Sequence, residues 1–280
     1  MPRSDESAAH QFVTPPMNGV RASMARVYDS LLGGKDNYEA DREVTRDVLG
    51  VFPEARQVAR EHRRWLSRAV RYLAGRRGID QFLDLGCGLP TDENVHEIAQ
   101  RANPEARVVY VDVDPIVIAQ GPALLEENDR THFVAGDLAE PDILLADPTL
   151  TRYLDWERPV ALLQCLSLVY LGADRRPHEV VRRYVEALPA GSCVAMSHLL
   201  DPGDGGPVSA LAREVAAVYE ASSMTSVHFR AAAEIESYFD GLELVRPGLT
   251  RPSAWWPDGP RLNPPPESDR VVVVGVGVKR

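Results

Sequence analysis

Two aspartates, each at the end of an apolar run, carry the sequence's clearest chemistry. Phe82, Leu83 and Leu85 surround Asp84, and Gly86-Cys87-Gly88 follows at once; Val108 to Val111 leads into Asp112, with Asp114 two residues on. Glycines between a strand and a helix let a ligand approach the backbone where a Cβ would block it. The start of the helix beyond offers amide donors and a positive dipole end, which suit a carboxylate or phosphate. An acid at the end of the next strand is placed to accept hydrogen bonds from ribose hydroxyls. The combination predicts a nucleoside-binding βαβ unit.

The spacing also discriminates between nucleosides. Thr91 stands where the dinucleotide fingerprint has its third glycine, which counts against NAD and a bound pyrophosphate. Asp84-x-Gly86-x-Gly88 with Asp112 resembles motifs I and II of the class I S-adenosylmethionine-dependent methyltransferases, although Pro90 stands where many of them carry a further glycine.

The elements that must hold these residues follow from periodicity. Val27, Leu31 and Leu32 make a short helical stripe ended by Gly33-Gly34, and Lys35, Asp36, Asn37 and Tyr38 follow directly. This cluster reads either as a capped turn between helices or as a lid whose glycines let polar side chains close over a ligand. Residues 39 to 75 are predicted helical with a break at Pro53, and Arg56, Arg60, Arg63, Arg64, Arg68 and Arg71 read as a solvated face. After the βαβ unit come a helix over 116–125 and a strand at His132 to Ala135. Gly136-Asp137-Leu138 closes that strand. Pro159 to Tyr170 reads as a central buried strand with Gln164 and Cys165 towards its carboxyl end. A helix over 177–188, a strand over 192–199 ending in Ser197 and His198, and helices over 208–224 and 231–239 follow. Strands at 242–245 and 271–278 flank a proline-rich loop containing Trp255 and Trp256. These tryptophans could wall a flat acceptor or pack the loop.

Bulk properties narrow the class. The chain has 280 residues, 44% hydrophobic, with a net charge of −10. That charge argues against a general nucleic-acid surface or an anionic membrane as partner. The three cysteines, Cys87, Cys165 and Cys193, form no CxxC pair and suit a reducing cytoplasm. No apolar stretch is long enough to span a bilayer, and the N-terminus lacks a signal-peptide layout, so a cytoplasmic location is expected.

Three stretches, ARVYDSLLGGKDNYEADRE, FLDLGCGLPTDENVHEIAQ and ARVVYVDVDPIVIAQG, resemble the actinobacterial S-adenosyl methyltransferase family formerly carried as a domain of unknown function. The resemblance implies an α/β fold with a doubly wound, Rossmann-like seven-stranded sheet, mostly parallel with an antiparallel C-terminal strand, under an N-terminal helical cap. The expected organisation is a mobile tail over 1–20, the cap or lid over 21–75 and the cofactor-binding domain over 76–280. S-adenosylmethionine is the implied ligand. Asp84, Gly86, Cys87 and Gly88 would cradle its methionine half, and Asp112, or its rival Asp114, would hold the ribose. Gly136, Asp137 and Leu138 would meet the adenine, and Gln164 or Cys165 would line the methionine side. The family likeness of LLGGKDNYEAD favours the lid role for Gly33, Gly34, Lys35 and Tyr38. Tyr28, Tyr38, His198 and His228 are the candidate catalytic groups beside the acceptor. A small molecule is the expected acceptor, a protein the other possibility, with no metal. A module that binds the cofactor without turnover is the alternative from another class.

Overall fold

The structure is a computed structural model and describes residues 21–90, 93–126, 128–224, 226–260 and 265–280. The tail expected over 1–20 and the fingerprint position Thr91 lie outside the described residues. Seven strands form one sheet in the order β3-β2-β1-β4-β5-β7-β6. They are β1 (Gln81–Leu85), β2 (Arg107–Asp112), β3 (Thr131–Ala135), β4 (Ala161–Cys165), β5 (Cys193–Leu199), β6 (Leu242–Leu244) and β7 (Val272–Lys279). The first five pair in parallel, and β7 inserts antiparallel between β5 and β6. Chain order reverses between β1 and β4, which opens a crevice at their carboxyl ends.

Helices cover both faces. On one lie α1 (Met24–Leu32), α2 (Glu39–Val51), α3 (Ala55–Arg71), α4 (Val95–Ala102) and α9 (Pro207–Ala221). On the other lie α6 (Pro141–Leu145), α7 (Pro148–Tyr153) and α8 (Pro177–Ala187). Helix α5 (Pro115–Leu125) follows β2, and α10 (Ala232–Ser237) precedes β6.

The two faces are separated by the pleat. Phe82, Val108, Tyr110, Ala161, Leu163 and Ala195 join the core beneath α1 to α4, whereas Leu83, Val109, Val111, Leu162, Val194 and Met196 join the opposite core. Side chains alternate with period two. Asp84, Asp112, Cys165 and Ser197 therefore share the α1–α4 face, and Gln164 and His198 fall on the other. That parity decides which strand-end residues can meet a ligand under the cap.

The N-terminal helices are tied to one another by a buried carboxylate. Asp41, in the first turn of α2, accepts from Tyr38 N (2.8 Å), Ser23 N (2.9 Å) and Arg26 Nε (2.7 Å). Both members of the Arg26–Asp41 pair are buried. Trp65 of α3 and Val27 of α1 are fully buried in the same core as strands β1 and β2.

Two expectations change in detail. The strand expected to run to Tyr170 stops at Cys165, because Leu166 takes a left-handed conformation (φ 58°) and Leu168–Tyr170 turns into a short 3₁₀ helix. The arginines of α3 are not one solvated face. Arg68 is buried, donating to the carbonyls of Trp255 (3.0 Å) and Pro252 (2.6 Å), and Arg56 donates to the Ser30 carbonyl (2.7 Å) at the end of α1. Arg60, Arg64 and Arg71 do face solvent.

Candidate functional site

A cavity of about 770 Å³ opens at the crevice between β1 and β4 and runs beneath α1 and α3. Small-molecule sites span about 300–1,000 Å³, so the space suits a nucleoside-sized ligand with room beside it. Its floor comes from strand ends: Asp84, Gly86, Cys87, Gly88, Asp112, Asp114, Gly136, Asp137, Leu138 and Cys165 all line it. Its roof comes from the cap, chiefly Ser23, Tyr28, His62, Arg63 and Leu66.

The two glycines of the turn do different work. Gly86 has φ 76°, and a Cβ there would lie 2.6 Å from Ser167 Cβ. It is required by the chain folded over it. Gly88 has φ 68°, and a Cβ there would meet nothing within 4 Å. Gly88 lines the cavity, so that space is open to it. The amides of this turn are already used: Gly86 and Cys87 donate to the Val111 carbonyl (2.8 and 3.1 Å), and Gly88 donates to Asp112 Oδ2 (2.8 Å).

The acids sit in contrasting environments. Asp84 is buried, and desolvation pushes its carboxyl up to about 7, against the pull of Arg63 and with a further push from Asp112. A buried carboxyl so raised is poised to ionise when a cation arrives. Asp112 is also raised, chiefly by burial, while amide donors oppose the shift: Gly88 N on Oδ2, with Val113 N (2.8 Å) and Asp114 N (2.9 Å) on Oδ1. Asp114 caps α5, accepting from Ile116 N (2.8 Å), and takes a short hydrogen bond from Ser23 Oγ of the cap. Asp137 pairs with Arg175 at 2.8 Å at the rim.

Beneath the cap, Tyr28 Oη lies 2.7 Å from His62 Nδ1, and His62 Nε2 lies 2.8 Å from Ser197 Oγ. Burial, then the charge of Arg63, depresses His62 to about 3, so the ring is neutral near pH 7. Burial raises the Tyr28 phenol above its ordinary value, so it stays protonated.

Several expected site residues do not line the cavity. Gln164 is fully buried on the opposite face of β4, its amide atoms without a partner among the described residues. His198, one residue past Ser197, points to that same face and meets Arg230 at 3.0 Å. His228 is held by its backbone amide on the Val169 carbonyl (2.8 Å) and does not reach the cavity either. Gly33, Gly34, Lys35 and Tyr38, expected to close over a ligand, all lie outside the cavity wall. In the same turn the Asp29 carboxylate accepts from Asp36 N (3.0 Å) and Asn37 Nδ2 (2.7 Å), and Gly34 N donates to the Asp29 carbonyl (2.9 Å). A Cβ on Gly34 would collide with that carboxylate at 1.9 Å. Trp255 and Trp256 pack against Tyr72 and each other, away from the cavity. Conversely, Ser23, His62, Arg63 and Ser167 carried no motif, because they reach the site from helices and a turn far away in sequence.

S-adenosylmethionine fits what is present. Gly88 leaves open space in the cavity, Asp84 is a buried acid with a raised carboxyl, and Ser167 Oγ is a buried hydroxyl without a partner among the described residues, on the cavity wall. Each suits the groups of an aminoacyl nucleoside.

Comparison with known proteins agrees. The model of the S-adenosyl methyltransferase family matches residues 11–280. A crystal structure described as a methyltransferase from Thermobifida fusca YX is 39% identical, with a TM-score of 0.88 over 96% of this chain and 99% of that one. A duf574 family protein from Streptomyces avermitilis MA-4680 is 38% identical, with a TM-score of 0.86 over 95% of this chain and 100% of that one. No curated protein matches. A binding module without turnover gains no support from these likenesses. The chain belongs to the S-adenosyl methyltransferase family and is an enzyme that uses S-adenosylmethionine as methyl donor.

Proposed function

We propose that this enzyme methylates a small molecule enclosed with the cofactor beneath the N-terminal helices, at an atom that is nucleophilic without help from a strong base. The observation that carries the reading is the continuity of one cavity, from the glycine turn to Tyr28, Tyr170, Leu171 and Met224 under the cap. A roofed space of this size favours a compact acceptor over a folded protein surface.

The cofactor supplies an electrophilic sulfonium methyl, so orientation and exclusion of water can provide much of the acceleration. On the cofactor side, Asp84, Gly86, Cys87, Gly88, Asp112, Asp114, Gly136, Asp137, Leu138 and Cys165 are the residues we assign to binding. On the acceptor side we assign Tyr28, held by His62 and Ser197, to orienting the nucleophile. His62 at about 3 is a poor proton acceptor. Taking a proton from a hydroxyl of ordinary phenolic acidity would cost on the order of 9 kcal/mol at about 1.4 kcal/mol per unit. An amine in its free-base form, a thiolate or a carboxylate needs no such transfer. The free thiols of Cys87, Cys165 and Cys193 support an intracellular setting.

The test is to incubate the enzyme with methyl-labelled S-adenosylmethionine and actinobacterial extract, then separate by mass. Label should appear in the fraction below about 1 kDa, the scale of ligands such cavities hold. Label confined to protein or nucleic acid would overturn the acceptor reading. Calorimetry with S-adenosylhomocysteine and NAD checks the cofactor side independently.

A further inference from the structure

The acceptor end of the cavity is presented by the turn after β4. Leu166 breaks the strand with φ 58°, and Leu168–Tyr170 coils into a 3₁₀ helix. The turn is clamped from behind: buried Arg230 donates to the Leu171 carbonyl (2.6 Å), and His228 N donates to the Val169 carbonyl (2.8 Å). Tyr170 and Leu171 line the cavity together with Leu66 and Met224. The Tyr170 hydroxyl has no hydrogen-bond partner among the described residues. Burial, then the nearness of Tyr219, Tyr28 and Asp112, pushes its phenol well above the ordinary value, so it keeps its proton. A rigidly held, unspent donor therefore stands between the cap and the strand-end floor.

The charges around it narrow the choice of nucleophile. The acids lining the cavity are Asp84, Asp112, Asp114 and Asp137 at the strand ends, and Asp29, whose carboxylate is held in the 34–37 turn. On the cap side, then, no described carboxylate is free to hold an ammonium. An aliphatic amine is mostly ammonium near pH 7, so it would need both a base and an acid here. Arg21 is exposed on the cavity wall, its guanidinium without a partner among the described residues. The Ala22 amide lies 3.4 Å from Ser223 Oγ, which sets that segment beside Met224.

Burial on the same walls separates thiols from carboxylic acids. It raises the thiols of Cys87 and Cys165 well above their ordinary 9.0, so a substrate thiol beside them stays protonated. It raises the Asp84 carboxyl from 3.8 to about 7, a value at which about half of a carboxylic acid is ionised near neutrality. A hydroxyl donor beside it favours the ionised form further.

We propose that the acceptor is a compact, largely apolar carboxylic acid, methylated on its carboxylate, with Tyr170 donating to that group and Arg21 supplying positive charge at the same wall. This class rests on the small-molecule reading of the site and narrows it. One carboxylate oxygen forms the new O–C bond, and the methyl C–S bond breaks with its electron pair passing to sulfur. The product is a neutral methyl ester, with no proton to place. The second oxygen accepts a charge-assisted hydrogen bond from Tyr170.

The test starts from the small-molecule fraction labelled with methyl-labelled S-adenosylmethionine in actinobacterial extract. Mild alkali should release the label as volatile methanol, because esters hydrolyse under conditions that leave N-methyl and S-methyl groups intact. Label that stays on the compound would overturn the carboxylate class and leave the small-molecule reading standing, whereas label absent from that fraction would overturn both. The acid left after hydrolysis should bind the enzyme saturated with S-adenosylhomocysteine in calorimetry. Y170F should weaken that acid about 10- to 100-fold and leave S-adenosylhomocysteine affinity within about twofold. Unchanged binding of the acid, or equal weakening of both ligands, would overturn the assignment of Tyr170. Should circular dichroism show Y170F unfolded, R21Q, altered at an exposed residue, carries the comparison. Weakening of the acid by at least about threefold, with S-adenosylhomocysteine unmoved, supports recognition of a carboxylate, and no change removes it.

Discussion

The cavity has two walls made on different plans. The sheet wall presents acids at the ends of parallel strands, and its backbone donors are consumed inside the turn, as at Gly86, Cys87 and Gly88. The cap wall is built from long side chains on helices: Tyr28 bonded to His62, His62 to Ser197 of β5, and Arg63 to the Glu93 carbonyl, with Asp41 tying α1 to α2. The sheet wall is rigid and encoded locally. The cap wall exists only while α1, α2 and α3 stay in register with one another. The sheet wall is therefore built from contiguous sequence, and the cap wall from helices distant in the chain.

The contrast is most severely tested at the cap's anchor. Asp41→Ala leaves Arg26 charged and buried with no carboxylate and strips the acceptor from two amides. Removing one member of a buried pair costs about 3–5 kcal/mol. Urea titration should show that loss, and cofactor affinity should fall with it if the cap completes the site.

Next comes a pair of substitutions within the glycine turn. Gly86→Ala forces a Cβ onto Ser167 at positive φ and should cost about 2–4 kcal/mol of stability. Gly88→Ala meets only the strain of its φ, about 1 kcal/mol, yet should weaken S-adenosylhomocysteine about tenfold or more by filling ligand space. If both changes act alike on stability and binding, the division of labour between the glycines fails.

The proton held by Asp84 gives a signature of comparable or smaller size. Its folded-state value is about 7 against an ordinary 3.8. The folded state thus binds the proton more tightly than the unfolded chain does. That contribution is fully present below about pH 4 and is lost as pH rises through about 7. Unliganded wild type should lose on the order of 2–4 kcal/mol relative to Asp84→Asn across that window. Parallel stability curves for the two proteins would remove the buried-acid account.

The smallest effect is expected at the exposed turn. Lys35 lies outside the cavity wall, so Lys35→Ala should leave S-adenosylhomocysteine affinity within about twofold. A larger loss by calorimetry would return that turn to the site and blur the two-wall distinction.

Much of the sheet wall was legible in advance. Strand, glycine turn, helix, strand and acid are consecutive in sequence, so local periodicity and turn chemistry locate Asp84, Gly86, Gly88 and Asp112 directly. Asp137 followed from a strand closed by Gly136. The strand-end assignments failed where pleat parity decides: Gln164 and His198 were expected at the crevice, yet each is one residue out of phase with Cys165 and Ser197. Counting alternation from Asp84 through the register would have separated them. The LLGGKDNY turn is a different case. A dense polar cluster after two glycines looks like a ligand loop, whereas Asp36 N and Asn37 Nδ2 donate to Asp29, eight or fewer residues away, and the turn lies outside the cavity wall. The arginines of α3 gave no sign, because one helix carries solvent-facing, core-facing and cavity-facing guanidinium groups within five turns.

By itself the sequence determined the βαβ unit and the acids at its strand ends, since these are written in neighbouring residues whose conformational preferences act over one turn or one strand, while its resemblance to a known family supplied the doubly wound sheet and the methyl donor. Only the tertiary structure decided which face each strand-end side chain takes, which amides are already spent, and that α3 brings Arg63 and His62 over the glycine turn. Those outcomes depend on strand register and helix packing between segments far apart in the chain, and no local propensity encodes them.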